Sequence, residues 1–103
     1  MSADPTLRDR LAQSLGPVLA SDLAAHLRRD AVLVVDPALD LLDCAEAVAA
    51  DRSVQVRAWL ERGALRRASP QERADWPQQA AFQWMAVIVQ PFVLVQLLAG
   101  PEA

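Results

Sequence analysis

The sequence predicts an α+β fold: a single domain over 1–103 in which about four short helices pack on a small, mainly antiparallel sheet. The strongest observation is a run over 84–98 that is apolar almost throughout and rich in β-branched residues, which suit a packed, pleated surface. A second apolar run, 31–35, has the length of a buried strand. Elsewhere leucine, alanine and valine recur at helical spacing. A chain of this length can bury a core without crosslinks.

Three helices are predicted in the first half of the chain. The first follows Asp4 and Pro5, a capping residue and the residue that suits the first helical position, and Gly16 ends it. A second helix of about two turns begins near Ser21. The third, over 38–50, follows Asp36 and Pro37, which repeat this signal of a cap and a proline, and it has the clearest apolar face.

Two further short helices are marked by their ends. Ser53 can cap a helix that Gly63 ends in a left-handed conformation, and the apolar, core-facing side of this helix is formed by Val56, Trp59 and Leu60. Ser69 and Glu72 have the spacing of a capping box, and the helix that they start ends before Pro77.

Pro91 divides the apolar C-terminal run, because it has no amide hydrogen to donate to a ladder. We expect the strand at 31–35 to be buried on both faces and to pair with this run. The predicted strands are 31–35, 84–90 and 92–97, with 64–68 as an edge strand. Residues 1–4 and 99–103 are expected to fray.

The charge balance argues against nucleic acid as a partner. Thirteen acidic residues against ten basic ones give a formal net charge of −3, so counterion release does not favour general binding to nucleic acid. The apolar C-terminal run is shorter than the roughly 20 residues of a membrane helix, so we expect no membrane contact. The single cysteine excludes an intramolecular disulfide, and the N-terminus lacks a signal-peptide pattern. We therefore expect a cytoplasmic protein.

Motifs along the chain resemble a known family. They are Leu39-Asp40-Leu41, Trp59-Leu60, Gly63, Trp84, Pro91 and Val93-Leu94-Val95-Gln96. In this combination the sequence, from about Leu7 to Leu98, is similar to small bacterial proteins catalogued as domain of unknown function twenty-two eighty-eight. Family members often carry tryptophan and glutamate where this chain has Phe92 and Leu97. The resemblance implies a single-domain bacterial cytoplasmic protein and supplies no activity.

Acidic residues along the third predicted helix form one candidate site. Asp36, Asp40 and Asp43 follow at helical spacing, with Glu46 further along the same helix. Clustered carboxylates could hold Mg²⁺. A solvent-facing acidic side explains the same pattern, helped by the favourable position of negative charge near a helix N-terminus. We favour this second explanation and predict neither a metal nor a cofactor.

Cys44 and His26 are each the only residue of their type. Together they fall short of the four ligands of a structural zinc site. A nucleophilic pair of the two stays open, but Cys44 falls on an apolar helix face, where cysteine usually acts as a small hydrophobe. We name no catalytic residue.

Five residues of the C-terminal half are candidates for partner contacts. Trp76 lies in a polar segment, so it is the tryptophan that we expect to be most exposed. Gln90 and Gln96 interrupt the apolar run, and we favour a structural role for them, because amides satisfy free backbone groups. Phe92 and Val93 complete the set.

Four short helices would leave much of so apolar a sheet uncovered, and exposed apolar surface is typical of interaction sites. The leading hypothesis is therefore a non-enzymatic protein-interaction or assembly module, expected as a homodimer that pairs through its C-terminal strands. The alternative is a domain that binds a small ligand or a metal, or a minor enzyme. It would use the acidic face of the helix over 38–50, Arg57 or Arg66, and a pocket near Gln90.

Overall fold

The computed structural model describes residues 6–78 and 83–99. Within them, helices cover both faces of one five-stranded sheet. Two 3-10 helices, Ala20–Leu23 and Trp76–Gln78, accompany the regular elements. In chain order these are α1 (Leu7–Ala12), β1 (Gly16–Leu19), α2 (Ala24–Arg28), β2 (Val32–Val35), α3 (Leu41–Ala49), α4 (Ser53–Arg62), β3 (Leu65–Arg67), α5 (Pro70–Asp75), β4 (Gln83–Val89) and β5 (Phe92–Ala99).

The strand order is β1-β4-β5-β2-β3. Neighbours are antiparallel except β2 and β5, which are parallel. The predicted α+β class is confirmed, but the sheet is mixed. The described residues form five α-helices, one for each helix that the local signals indicate and one more than the about four of the predicted fold class. β5 is the central strand, so the most apolar segment of the sequence lies where both strand edges and both faces are covered.

Alternating side chains divide the core into two parts. One face of the sheet, with Leu33 and Val87, packs against α1, α3 and α4. The other face, with Val32 and Ala86, packs against α2 and the two 3-10 helices. The sheet is therefore better covered than we expected: Leu94 and Val95, on opposite faces of β5, are both fully buried.

β1 was not predicted, because glycine followed by proline was interpreted only as the end of a helix. Gly16 lies opposite Ala86 of β4, and Pro17 is tolerated because β1 is an edge strand. The second predicted helix begins near Ser21 as expected, first as a 3-10 turn and then as α2.

Local capping fixes several helix ends. Ser69 and Glu72 form the predicted capping box of α5, and Gly63 ends α4 with a φ of 76°. α3 begins three residues later than the segment 38–50 that we predicted, because the carboxylate of Asp40 accepts the first amide hydrogen bonds of the helix.

The predicted strands of the C-terminal half are present, with Gln90 and Pro91 in the turn between β4 and β5. Their bounds are close to those expected, and β3 falls within the predicted edge strand over 64–68. The ends that we expected to fray lie outside the described residues, except that Ala99 is the last residue of β5.

Candidate functional site

The acidic face of α3 is paired with an arginine from α1. The Nη1 of Arg8 lies 2.7 Å from Asp43 and 3.3 Å from Glu46, and its Nη2 lies 3.6 Å from Asp40. These carboxylates raise the pKa of Arg8, with the hydrogen bond to Asp43 as the largest cause. In the described part of the chain, no group of three or more acidic, histidine or cysteine side chains could hold a metal ion. The geometry is that of a surface ion-pair network between two helices.

Asp36 does not join this group. Its side chain accepts a hydrogen bond from the backbone N–H of Ala38 (2.8 Å), which forms a turn ahead of α3. The same loop is held from the other side by Gln96, whose Nε2 donates to the carbonyl oxygens of Asp36 (3.0 Å) and Leu39 (2.6 Å). Gln96 thus connects the central strand to the loop that leads into α3.

The structure separates Cys44 from His26. Cys44 is fully buried on α3, and His26 lies on α2, on the opposite side of the sheet. Burial raises the pKa of the Cys44 thiol to about 11, with a smaller contribution from the charges of Asp43 and Asp40. Because the thiolate is the reactive form, the burial and the raised pKa favour a structural role for this cysteine over a nucleophilic one.

Two of the five candidates for partner contacts are buried. The expectation that Trp76 is exposed is wrong: only 8% of it is accessible, and its ring lies 4.7 Å from that of Trp84. The polar residues around it belong to one short turn, and the indole folds back onto the sheet. Val93 is also buried, in the same cluster, because β5 is covered on both faces. Both side chains therefore offer little accessible surface in the folded chain.

Arg66, offered as part of a ligand site, is already engaged. Its guanidinium donates two hydrogen bonds to Glu72, at 2.7 and 3.0 Å. That hydrogen-bonded pairing is the largest cause of the raised pKa of Arg66 and the lowered pKa of Glu72. A cleft of about 280 Å³ lies beside it, lined in part by Trp84 and Leu97. Gln90 lies exposed in the turn between β4 and β5 and does not line this cleft.

A second concave surface has a more apolar character, and we call it the α4 groove. Its volume is about 350 Å³. The apolar part comes from α3, α4 and the start of β5, and charged groups lie at its rim. Its lining residues are Val48, Asp51, Ser53, Val56, Arg57, Leu60 and Phe92.

The α4 groove contains two of the predicted candidates, Phe92 and Arg57, and residues that sequence reasoning assigned to the core. Trp59 is buried as the apolar pattern of α4 predicts, but Leu60 is 48% exposed. Val54, a further apolar residue of α4, is 85% exposed and does not line the groove. At 3.6 residues per turn it lies about 140° around the helix from Trp59, so the apolar residues of α4 extend well beyond one buried stripe.

Together these features define a small α+β domain with helices on both faces of a mixed sheet and with an apolar groove beside α4. The chain belongs to the family of proteins of unknown function DUF2288, whose model matches residues 6–97. This confirms the family resemblance seen in the sequence. The chain is also similar to PA1075 from Pseudomonas aeruginosa, whose structure was solved in solution by NMR, with 30% sequence identity and a TM-score of 0.77. The alignment covers 100% of this chain and 95% of that one.

No curated protein matches the chain. Across residues 6–78 and 83–99, no helix combines the length and apolarity that a membrane crossing requires.

Proposed function

We propose that this protein is a non-enzymatic protein-interaction module and that the α4 groove is its contact surface. The observation that carries the proposal is an apolar concavity built by three separate segments, with Leu60 at its mouth 48% exposed. Apolar side chains that cluster at the surface, with polar groups around them, are typical of protein interfaces. Phe92 supplies the aromatic side chain that such interfaces commonly use as an anchor.

The state of the reactive groups supports an interaction role over an enzymatic one. The thiol of Cys44 is buried, and the three carboxylates of the acidic face form ion pairs with Arg8. Glu72 is bound by Arg66. Each of these groups has a structural partner or is enclosed by the core, whereas the α4 groove is open.

Contact through the edges of the C-terminal strands is not favoured, because β5 lies between β4 and β2 while β4 lies between β5 and β1. The outer edge of β1 is also protected. Pro17 has no N–H to offer, and the N–H of Leu19 donates to Asp22 at 3.0 Å. A partner is therefore expected on a helical face. We also propose that this protein is bacterial and that it is located in the cytoplasm.

A substitution in the groove tests the proposal. The protein is purified gently from a bacterial host, with reversible crosslinking, and its complexes are identified by native mass spectrometry. Leu60→Glu should remove the complex, because it places a charge at the mouth of the groove. The matched control is Leu19→Glu, since Leu19 is 37% exposed and lies outside the groove.

Circular dichroism establishes that both variants keep the helix content of the parent. A complex that persists in Leu60→Glu, or that both substitutions remove equally, contradicts the assignment of the groove.

A further inference from the structure

We propose that a basic surface formed by the end of α2, by β3 and by α5 binds a short acidic segment of another protein. We call this surface the arginine corner, and its members are Arg28, Arg29, Arg66, Arg67 and Arg73. None of these five arginines lines the α4 groove, so the arginine corner is a second contact surface, separate from the first.

Two carboxylates bring the three elements of the arginine corner together. Asp30 directly follows the two arginines at the end of α2, and its Oδ2 lies 2.8 Å from the Nη1 of Arg67 on β3. The Oδ1 of the same carboxylate lies 3.9 Å from the Nη1 of Arg73 on α5. Glu72 of α5 accepts two hydrogen bonds from Arg66 of β3, at 2.7 and 3.0 Å. Arginines that are far apart in the sequence therefore lie side by side on one surface.

The arginine corner carries a charge opposite to that of the whole chain. On its three elements, the five arginines are accompanied by three acidic residues, Asp30, Glu72 and Asp75. The rest of the sequence has five arginines and ten acidic residues. The corner is therefore a local excess of positive charge in a chain whose formal net charge is −3.

The internal carboxylates hold these arginines in place and leave donors for a partner. Arg67 donates to Asp30 through Nη1, so within the described residues its Nε and Nη2 remain available, and its side chain is 59% exposed. Arg28 is exposed and belongs to none of the ion pairs of this part of the chain. Guanidinium groups bind carboxylates through two parallel hydrogen bonds, and side chains that are already fixed lose less entropy when they bind.

The size of the arginine corner selects a short acidic segment over a larger polyanion. β3 has three residues and α5 has six, so each is about 10 Å long at about 3.3 Å per strand residue and 1.5 Å per helical residue. Nucleic acid or an anionic membrane extends beyond that length and would meet the negative charge of the remaining surface, which repels it. A peptide with a few consecutive carboxylates can stay within the corner, where complementary charge favours its binding.

Fluorescence anisotropy with a labelled hexaglutamate peptide at low salt tests the proposal. Arg28→Gln and Arg67→Gln should each weaken binding about threefold, the scale of an exposed ion pair, and added salt should weaken binding of the parent. The matched control is Arg10→Gln, because Arg10 is also exposed and lies on α1, outside the arginine corner. Circular dichroism establishes that the three variants keep the helix content of the parent.

Three outcomes overturn the proposal. One is that hexaglutamate does not bind, or binds no better than hexaglutamine. Another is that Arg10→Gln weakens binding as much as the two corner variants do, since net charge alone then explains the effect. The third is that a single-stranded DNA of 20 nucleotides binds more tightly than hexaglutamate, which would assign the surface to nucleic acid.

Discussion

Replacing Gln96 by methionine should destabilise the fold. The substitution keeps the length of the side chain and removes the amide that donates to the carbonyl oxygens of Asp36 and Leu39. A typical hydrogen bond contributes about 0.5–1.5 kcal/mol to the free energy of unfolding. Loss of two such bonds should therefore lower it by about 1–3 kcal/mol.

The matched control is Gln90→Met. Gln90 is an exposed glutamine in the turn between β4 and β5, so its replacement should change the free energy of unfolding by less than about 0.5 kcal/mol. Both variants are measured by urea denaturation followed through tryptophan fluorescence and circular dichroism. For a domain of this size, each kcal/mol corresponds to a fall of about 4–8 °C in the melting temperature.

Gln96→Glu separates the hydrogen bonds from side-chain packing. A carboxylate beside two carbonyl oxygens is repelled by them, whereas a protonated carboxyl group can donate one hydrogen bond. The destabilisation should therefore be larger at pH 7 than at pH 4. Equal stability of Gln96→Met and Gln90→Met would refute the structural role of Gln96, and so would a Gln96→Glu effect that does not depend on pH.

Three further predictions concern caps and titrating groups. Ser69→Ala should lower the free energy of unfolding by about 1 kcal/mol through loss of the α5 cap. The control Ser53→Ala should have little effect, because the side chain of Ser53 does not cap α4. Urea denaturation of the two variants measures this difference. Because Arg66 lowers the pKa of Glu72, Glu72→Gln should be less stable than the parent at pH 7 by about 0.5–1 kcal/mol. This difference in the free energy of unfolding should vanish as the pH falls from about 4.3 through the folded-state pKa of Glu72. Melting curves of both proteins across pH that do not converge in this way would contradict the pairing. Burial raises the pKa of Cys44 to about 11, so its thiol should react with a disulfide reagent far more slowly in native buffer than in urea. For the same reason, the free energy of unfolding of the parent should fall between about pH 8.5 and pH 11, and it should fall less in Cys44→Ala.

The parts of the fold that the sequence predicted are those that depend on local chemistry. The capping box of α5 and the left-handed Gly63 are set by the residues themselves. The strands on either side of Pro91 are set by the length and apolarity of the run. In each case the signal lies within a few residues of the feature, and the tertiary contacts do not override it.

The features that were missed depend on distant contacts. β1 becomes a strand because β4 offers a free edge to Gly16 and its neighbours, which no local pattern shows. Trp76 is buried because it packs against Trp84 in a core cluster that also contains Leu23 and Leu27 from the first half of the chain. Three α-helices also begin at other residues than expected. Thr6, and not Asp4, caps α1, and Asp40, and not Asp36, caps α3. Arg52 precedes α4, where Ser53 was expected to cap the helix.

The candidate site was only partly predictable for a related reason. A strand that is covered on both faces and a strand that binds a partner have the same apolar composition. The C-terminal run was therefore interpreted as a partner surface, whereas the fold encloses it. Phe92 is the exception, because it lies at the hairpin turn and extends towards α4. On α4 itself, Val56 and Leu60 fit a buried stripe, and only Val54 falls outside it. Because Leu60 shares the apolar stripe of the buried Trp59, the pattern did not show that Leu60 is 48% exposed and lines the groove.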